Sequence, residues 1–165
     1  MTVRRHELPS RQRGFTFIEL MMTLAIMGVL VLVAVPMAQV TIQRDKEHEL
    51  RRALIQIRDA LDAYKRAADQ GRIIVKVGES GYPRNLEQLV EGVPDQRSPS
   101  RQNLYFLRSL PPDPMYAGAA VKASETWGLR SYASPPDDPS EGDDVFDIHS
   151  KSDKQGLNGV PYKQW

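Results

Sequence analysis

Few residues in this chain have the type and spacing that chemistry requires. There is no cysteine to act as a nucleophile, no His-Glu-x-x-His zinc signature and no Gly-x-Ser-x-Gly elbow. Of the three histidines, His6 lies near the start, His48 in a helical pattern and His149 in a strand pattern. Each reads as a surface or packing residue rather than a catalyst. Oxygen donors are more plentiful: Asp143, Asp144, Asp147, Ser150 and Asp153 are close in sequence, and Ca²⁺ takes about six to eight oxygens from flexible loops. The same residues also read as a solvated acidic loop without metal. One carboxylate stands out by its surroundings, because Glu19 is the only charge between Phe15 and Val35. A charge inside an apolar run costs up to about 3 kcal/mol on insertion scales. Either Glu19 sits at a membrane interface, favoured by the positive end of the helix dipole, or it has a partner.

The run around it, residues 15–35, spans about 31 Å as a helix, enough for a hydrocarbon core of about 30 Å. A secretory signal peptide shares the basic start and the apolar stretch. Its apolar part is usually shorter, however, and the small-residue site that should follow is weak here, at Ala34 and Ala38. Arg4, Arg5, Arg11 and Arg13 precede the run while Arg44, Lys46, Arg51 and Arg52 follow it, so flanking charge leaves the orientation open. The short leader and large remainder favour a cytoplasmic N-terminus. Those leader arginines, with Glu7, carry +3 of a net charge of +1, which leaves −2 on residues 15–165. A mildly acidic body argues against nucleic-acid phosphates as a partner, since those need a basic face.

Beyond the run the helix changes character. Pro36 either kinks it or marks a place where the backbone opens, although Gly28 and Pro36 are also residue types common in membrane helices. From Ala38 to Ala68, Leu50, Leu54, Ile57, Leu61 and Tyr64 recur at spacings of three and four. Glu47/Arg51 and Asp62/Arg66 read as i,i+4 pairs on other faces, and Gly71 is a stop signal. The pattern predicts one helix of about 55 residues; a coiled coil competes, but the stripe covers only about two heptads. A small α+β head should follow. Arg72–Val77 reads as a strand or an extended loop edge. A short helix has Asn85 as its N-cap and Gly92 past its end. Arg97–Gln102 is a polar loop, and Leu104–Leu107 is an apolar element stopped by the prolines after Leu110. Trp127–Ala133 and Val145–Ser150 are the strand candidates, separated by a turn-rich acidic loop.

The junction Arg13-Gly14-Phe15-Thr16-Phe17-Ile18-Glu19-Leu20 resembles the processing site of type IV prepilins: a basic leader, Gly before the cut, Phe after it and Glu fifth in the mature chain. In the head, Gly81-Tyr82-Pro83, Leu86-Glu87-Gln88-Leu89-Val90, Leu107 to Pro114, Trp127-Gly128 and Phe146 to Ser150 follow an order similar to that of the major pseudopilin of type II secretion systems. Two departures are visible. Met115 to Thr126 separate Asp-Pro from Trp-Gly, which the family usually joins, and residues 151–159 replace the family's Asp- and Gly-rich calcium loop. The absence of cysteine fits that pseudopilin better than the disulfide-looped pilins of adhesive pili.

The resemblance implies an α+β pilin fold, in which a long N-terminal helix (a membrane half plus an amphipathic half) packs on a small antiparallel sheet with irregular C-terminal loops. Residues 1–14 would be a cleaved basic leader, 15–37 the transmembrane and polymerisation helix, and 38–165 a periplasmic head. A membrane-embedded prepilin peptidase would cut between Gly14 and Phe15 and methylate the new Phe15 amine; Gly14 suits a protease cleft because it has no side chain. Glu19 would pair with the N-terminal amine of a neighbouring subunit, and Gly28 to Pro36 would be where helicity is lost in filaments. Asp147, Ser150 and Asp153 fall at or near the family's calcium ligands, with Asp153 one residue nearer Asp147 than usual and flanked by lysines. The implied function is structural rather than enzymatic: a homopolymer anchored in the inner membrane that works with minor pseudopilins, an assembly platform and a cytoplasmic ATPase to drive protein export. The alternatives are a type IV pilus or DNA-uptake pilin and, from another class, a monomeric membrane-anchored periplasmic binding module. Lacking a disulfide, the C-terminal loops need another fastening, either calcium or the burial of Tyr162 and Trp165.

Overall fold

The computed structural model describes residues 14–100, 102–119 and 122–165. The expected leader lies outside them except for Gly14, as does Arg101 of the polar loop. The chain divides at Thr41 and Ile42 into two compact units. Helix α1, Phe17–Asp69, is 53 residues long and belongs to both.

In the first unit α1 is uninterrupted through Gly28 and Pro36. Pro36 deprives the Leu32 carbonyl of its usual donor, yet the backbone stays helical on both sides. The hydroxyls of this segment turn inward on the helix: Thr23 Oγ1 donates to the Leu20 carbonyl at 2.8 Å and Thr41 Oγ1 to that of Met37 at 3.1 Å. Neither then needs water.

In the second unit the expected stripe is buried. Leu50, Leu54, Ile57, Leu61 and Tyr64 join Ala53, Ala60, Ala67 and Ala68 along one face of α1, and the alanines let loops come close to the helix axis. Leu86, Leu89, Leu107, Trp127, Val145, Ile148 and Tyr162 complete the core. The helix ends in a Schellman motif: Arg72 N–H bonds the Ala67 carbonyl and Gly71 N–H that of Ala68, both at 2.9 Å. Gly71 holds φ at +69°, which a residue with a Cβ rarely adopts.

The head has an α+β layout with little regular structure. Helix α2 is a single turn, Gln88–Glu91, whose first N–H is accepted by Asn85 Oδ1 at 3.1 Å, so Asn85 caps it as its residue type suggests. Strands β1 (Val93–Pro94) and β2 (Asn103–Leu104) form one antiparallel ribbon; β3 (Trp127–Arg130) and β4 (Asp147–Ser150) form another. Both strand candidates are thus shorter than expected, and they make ribbons rather than one continuous sheet. Arg72–Val77 is no strand: only Ile73 is buried, and Ile74 and Val77 face outward. The expected ion pairs on α1 are also replaced. Glu47 is buried and bonds Tyr162, Leu157 and Gln43 instead of Arg51, while the i,i+4 pair near the C-terminal end is Lys65–Asp69.

Ribbon β3–β4 shows why Gly follows Trp in this chain. Trp127 is fully buried, with its indole N–H on the Pro111 carbonyl at 2.8 Å. Its neighbour Gly128 pairs with His149, whose imidazole lies across the glycine where a Cβ would otherwise sit. That burial holds the His149 pKa below its ordinary value. A histidine whose folded pKa is depressed contributes stability above its unfolded value near 6.5, lost as pH falls through the folded value. Gly128→Ala should expel the ring, cost about 1–3 kcal/mol and return the His149 pKa upward. An NMR titration of His149 unchanged in the variant would refute this packing.

Candidate functional site

The first candidate site is the start of α1. Gly14, Phe15 and Thr16 are exposed and precede the helix. Thr16 Oγ1 accepts the Glu19 N–H at 3.3 Å, and its carbonyl accepts the Leu20 N–H at 3.1 Å. Thr16 is therefore the N-cap and Glu19 the third helical residue, the Ser/Thr-x-x-Glu arrangement that satisfies N-terminal donors. Thr16 was not singled out in the sequence, although the Thr-x-x-Glu spacing ahead of an apolar run is a recognised start signal. The Glu19 carboxylate is exposed and has no ionic partner among the described residues.

The glycines here serve no packing purpose among the described residues. A Cβ at Gly14 or at Gly28 would meet nothing within 4 Å. In a helix interior glycine is about 1 kcal/mol worse than alanine, and no contact among the described residues calls for it at Gly28. Around these residues the helix is apolar on every side and covered on none. Phe15 is 83% exposed and Leu32 76%, and none of the most apolar 18-residue window is buried. Among the described residues this is one helix long and apolar enough to cross a membrane. A helix apolar all round needs an apolar environment.

The second candidate, the calcium set, does not fit a metal. Asp147 is engaged by guanidinium groups: Arg58 Nε meets its Oδ1 at 2.8 Å and Arg130 Nη2 its Oδ2 at 3.5 Å. Ser150, fully buried, donates its hydroxyl to Asp113 Oδ2 at 2.6 Å and accepts the Ser152 N–H at 3.1 Å. Asp153 is exposed and pairs with Lys163. Of the neighbouring acids, Asp144 bonds Ser80 and accepts the Tyr132 N–H. Each donor of the expected set thus has a different partner, and among the described residues no group of three or more His, Cys, Asp or Glu is placed to hold a metal ion.

What sequence reading missed here is Asp113. Its N–H bonds Thr126 Oγ1 at 2.9 Å, and its Oδ1 accepts the Met115 N–H at 2.8 Å. The extra segment between Asp-Pro and Trp-Gly is thereby pinned at its neck, and Trp127 still reaches Pro111. Elsewhere Arg72 reaches Asp95 at 2.6 Å and, with the Arg97 N–H, holds that carboxyl below the usual carboxylate range.

A family model described as the prokaryotic N-terminal methylation motif matches residues 9–35. The match takes in Gly14, Phe15, Thr16, Glu19 and Gly28 and stops just before Pro36. No curated protein and no solved structure matches the chain. The motif is that of type IV pilin-like proteins, and it implies processing by a prepilin peptidase, pilus-like assembly and a membrane anchor.

Proposed function

We propose that the chain is a structural subunit of a type II secretion pseudopilus, anchored in the inner membrane, processed between Gly14 and Phe15 and polymerised through α1 to drive protein export across the outer membrane. One observation carries the reading. A capped, exposed apolar helix begins within the matched motif, with one carboxylate three residues into it that has no ionic partner among the described residues. Cleavage of the Gly14–Phe15 bond would leave a cationic amine on Phe15, still a cation after one methylation. Glu19 of a neighbouring copy would neutralise it, removing from each the cost of a lone charge in hydrocarbon. The open surroundings of Gly14 support a role in a protease cleft, because nothing among the described residues asks for glycine there. Gly28 and the donor missing at Pro36 supply the place where α1 could unwind as subunits pack.

The head supports the secretion reading by the order of its motifs, with Trp127-Gly128 and Asp147–Ser150 paired as one ribbon and no disulfide. The poor fit of Asp147, Ser150 and Asp153 to calcium removes one distinguishing feature, so a type IV pilus or DNA-uptake pilin stays as the second reading. Deleting the gene separates them: the secretion role predicts loss of exoprotein from the medium with surface pili and DNA uptake unchanged, and the reverse result would favour the pilus.

Two variants test the polymer itself. Gly14→Val should block the loss of the 14-residue leader when a prepilin peptidase is co-expressed, with wild type giving N-methylphenylalanine at Phe15 by N-terminal mass spectrometry. Cleavage elsewhere, for instance after Ala38, would end the pilin reading. Glu19→Ala should insert into membranes as well as wild type or better, since a charge costing up to about 3 kcal/mol is removed, while cross-linked oligomers disappear. Normal oligomers in that variant would overturn the pairing of Glu19 with the Phe15 amine of a neighbouring copy.

A further inference from the structure

The segment 155–165 has to be held against α1 without a disulfide, and the way it is held differs from what the family resemblance implies. Arg58, on α1, reaches three acceptors in two separate places, strand β4 and Trp165. Its Nε donates to Asp147 Oδ1 at 2.8 Å, and its Nη2 donates to the Ile148 carbonyl at 3.2 Å and to the main-chain oxygen of Trp165 at 2.8 Å. A carboxylate and main-chain oxygens from distant segments, converging on one positive centre, are the ligand types that a bound calcium ion gathers. Here the positive centre is a guanidinium, permanently charged and carrying its donors in a fixed plane.

We infer that Arg58 takes the place of a divalent cation as the fastener of the C-terminal segment, so that this head holds its fold without calcium. Arg130, on the other oxygen of Asp147, adds a second fixed positive charge. A dication brought to Asp147 would face both guanidinium groups at close range. It would also find Ser150 committed to Asp113 and Asp153 committed to Lys163. A second tie, equally free of metal, lies nearer the start of the unit. Buried Glu47 accepts the Tyr162 hydroxyl at 2.9 Å and the Leu157 N–H at 2.8 Å through one oxygen. Between the two ties, Arg51 stacks on Trp165 at 4.5 Å, and Trp165 meets Tyr162 edge to face at 5.1 Å. The segment is therefore clasped by the Glu47 carboxylate, by Arg51 over its Trp165 ring and by the Arg58 guanidinium, all on one helix.

The test is a thermal melt of the full chain in detergent micelles, followed by tryptophan fluorescence, in excess chelator and in saturating calcium. The midpoint of the wild type should be the same in both. Arg58→Met should lower it by about 4 °C or more in both solutions alike, and Arg58→Lys, which keeps the charge but not the planar fork, should recover only part of that. If Arg58→Met does not fold, Asp147→Asn gives the same reading, with a lowered midpoint that is indifferent to calcium. A wild-type midpoint that falls in chelator and is restored by calcium would overturn the proposal. So would Arg58→Met melting with the wild type.

Discussion

A peptide group in hydrocarbon has no water to bond, so its N–H and C=O must be satisfied by the chain itself. That constraint shapes the whole of α1. It explains why the first part of the helix is unbroken, why its threonines bond their own backbone, and why its start is capped by Thr16 rather than left open. The same helix then passes into a unit where water is available on one side. There its apolar residues contract from all faces to one stripe, and the charged residues Arg44, Lys46 and Arg52 occupy the rest. The head needs little regular structure of its own because a rigid apolar surface is already supplied for loops to pack on.

The loops are kept in place by a few polar groups that serve several partners each. Asp113 ties Ser150, Met115 and Thr126; Glu47 ties Tyr162, Leu157 and Gln43; Arg58 ties Asp147, Ile148 and Trp165. Among the described residues no buried side-chain polar atom is left without a hydrogen-bond partner, which is the condition for such groups to stabilise rather than cost. In a head whose ribbons are only two and four residues long, these side chains do what longer ladders do in other α+β proteins.

Much of this was legible in the residues. The stripe from Leu50 to Tyr64, the stop at Gly71, the cap at Asn85 and the two strands that include Trp127 and Ser150 all follow local rules of period, turn and capping. Glu47 was legible too, since it lies three residues before Leu50 and so falls on the stripe, but a favourable spacing to Arg51 pointed to the surface instead. Arg58, Asp113 and Arg130 were not. Their partners lie far along the chain, and no local pattern says which distant carboxylate an arginine on a helix will meet. The separation of the expected calcium donors was hidden for the same reason: nearness in sequence puts Asp147, Ser150 and Asp153 together, while the strand and the loops turn them toward separate partners. At the N-terminal site the residues were legible because that signal is linear, a short run of types meant to be read along the chain.

The pin between Asp113 and Thr126 gives the segment it encloses a particular freedom. Its ends are bonded to each other and, at Asp113, to buried Ser150, while Met115 packs on the core and Ser124 bonds Glu87, so a change in length between Met115 and Ser124 is felt mainly as loop-closure entropy. That cost grows slowly, by about 0.6 kcal/mol for each doubling. Residues can therefore be added there, or a tag inserted, while Trp127 stays seated with its indole N–H on Pro111.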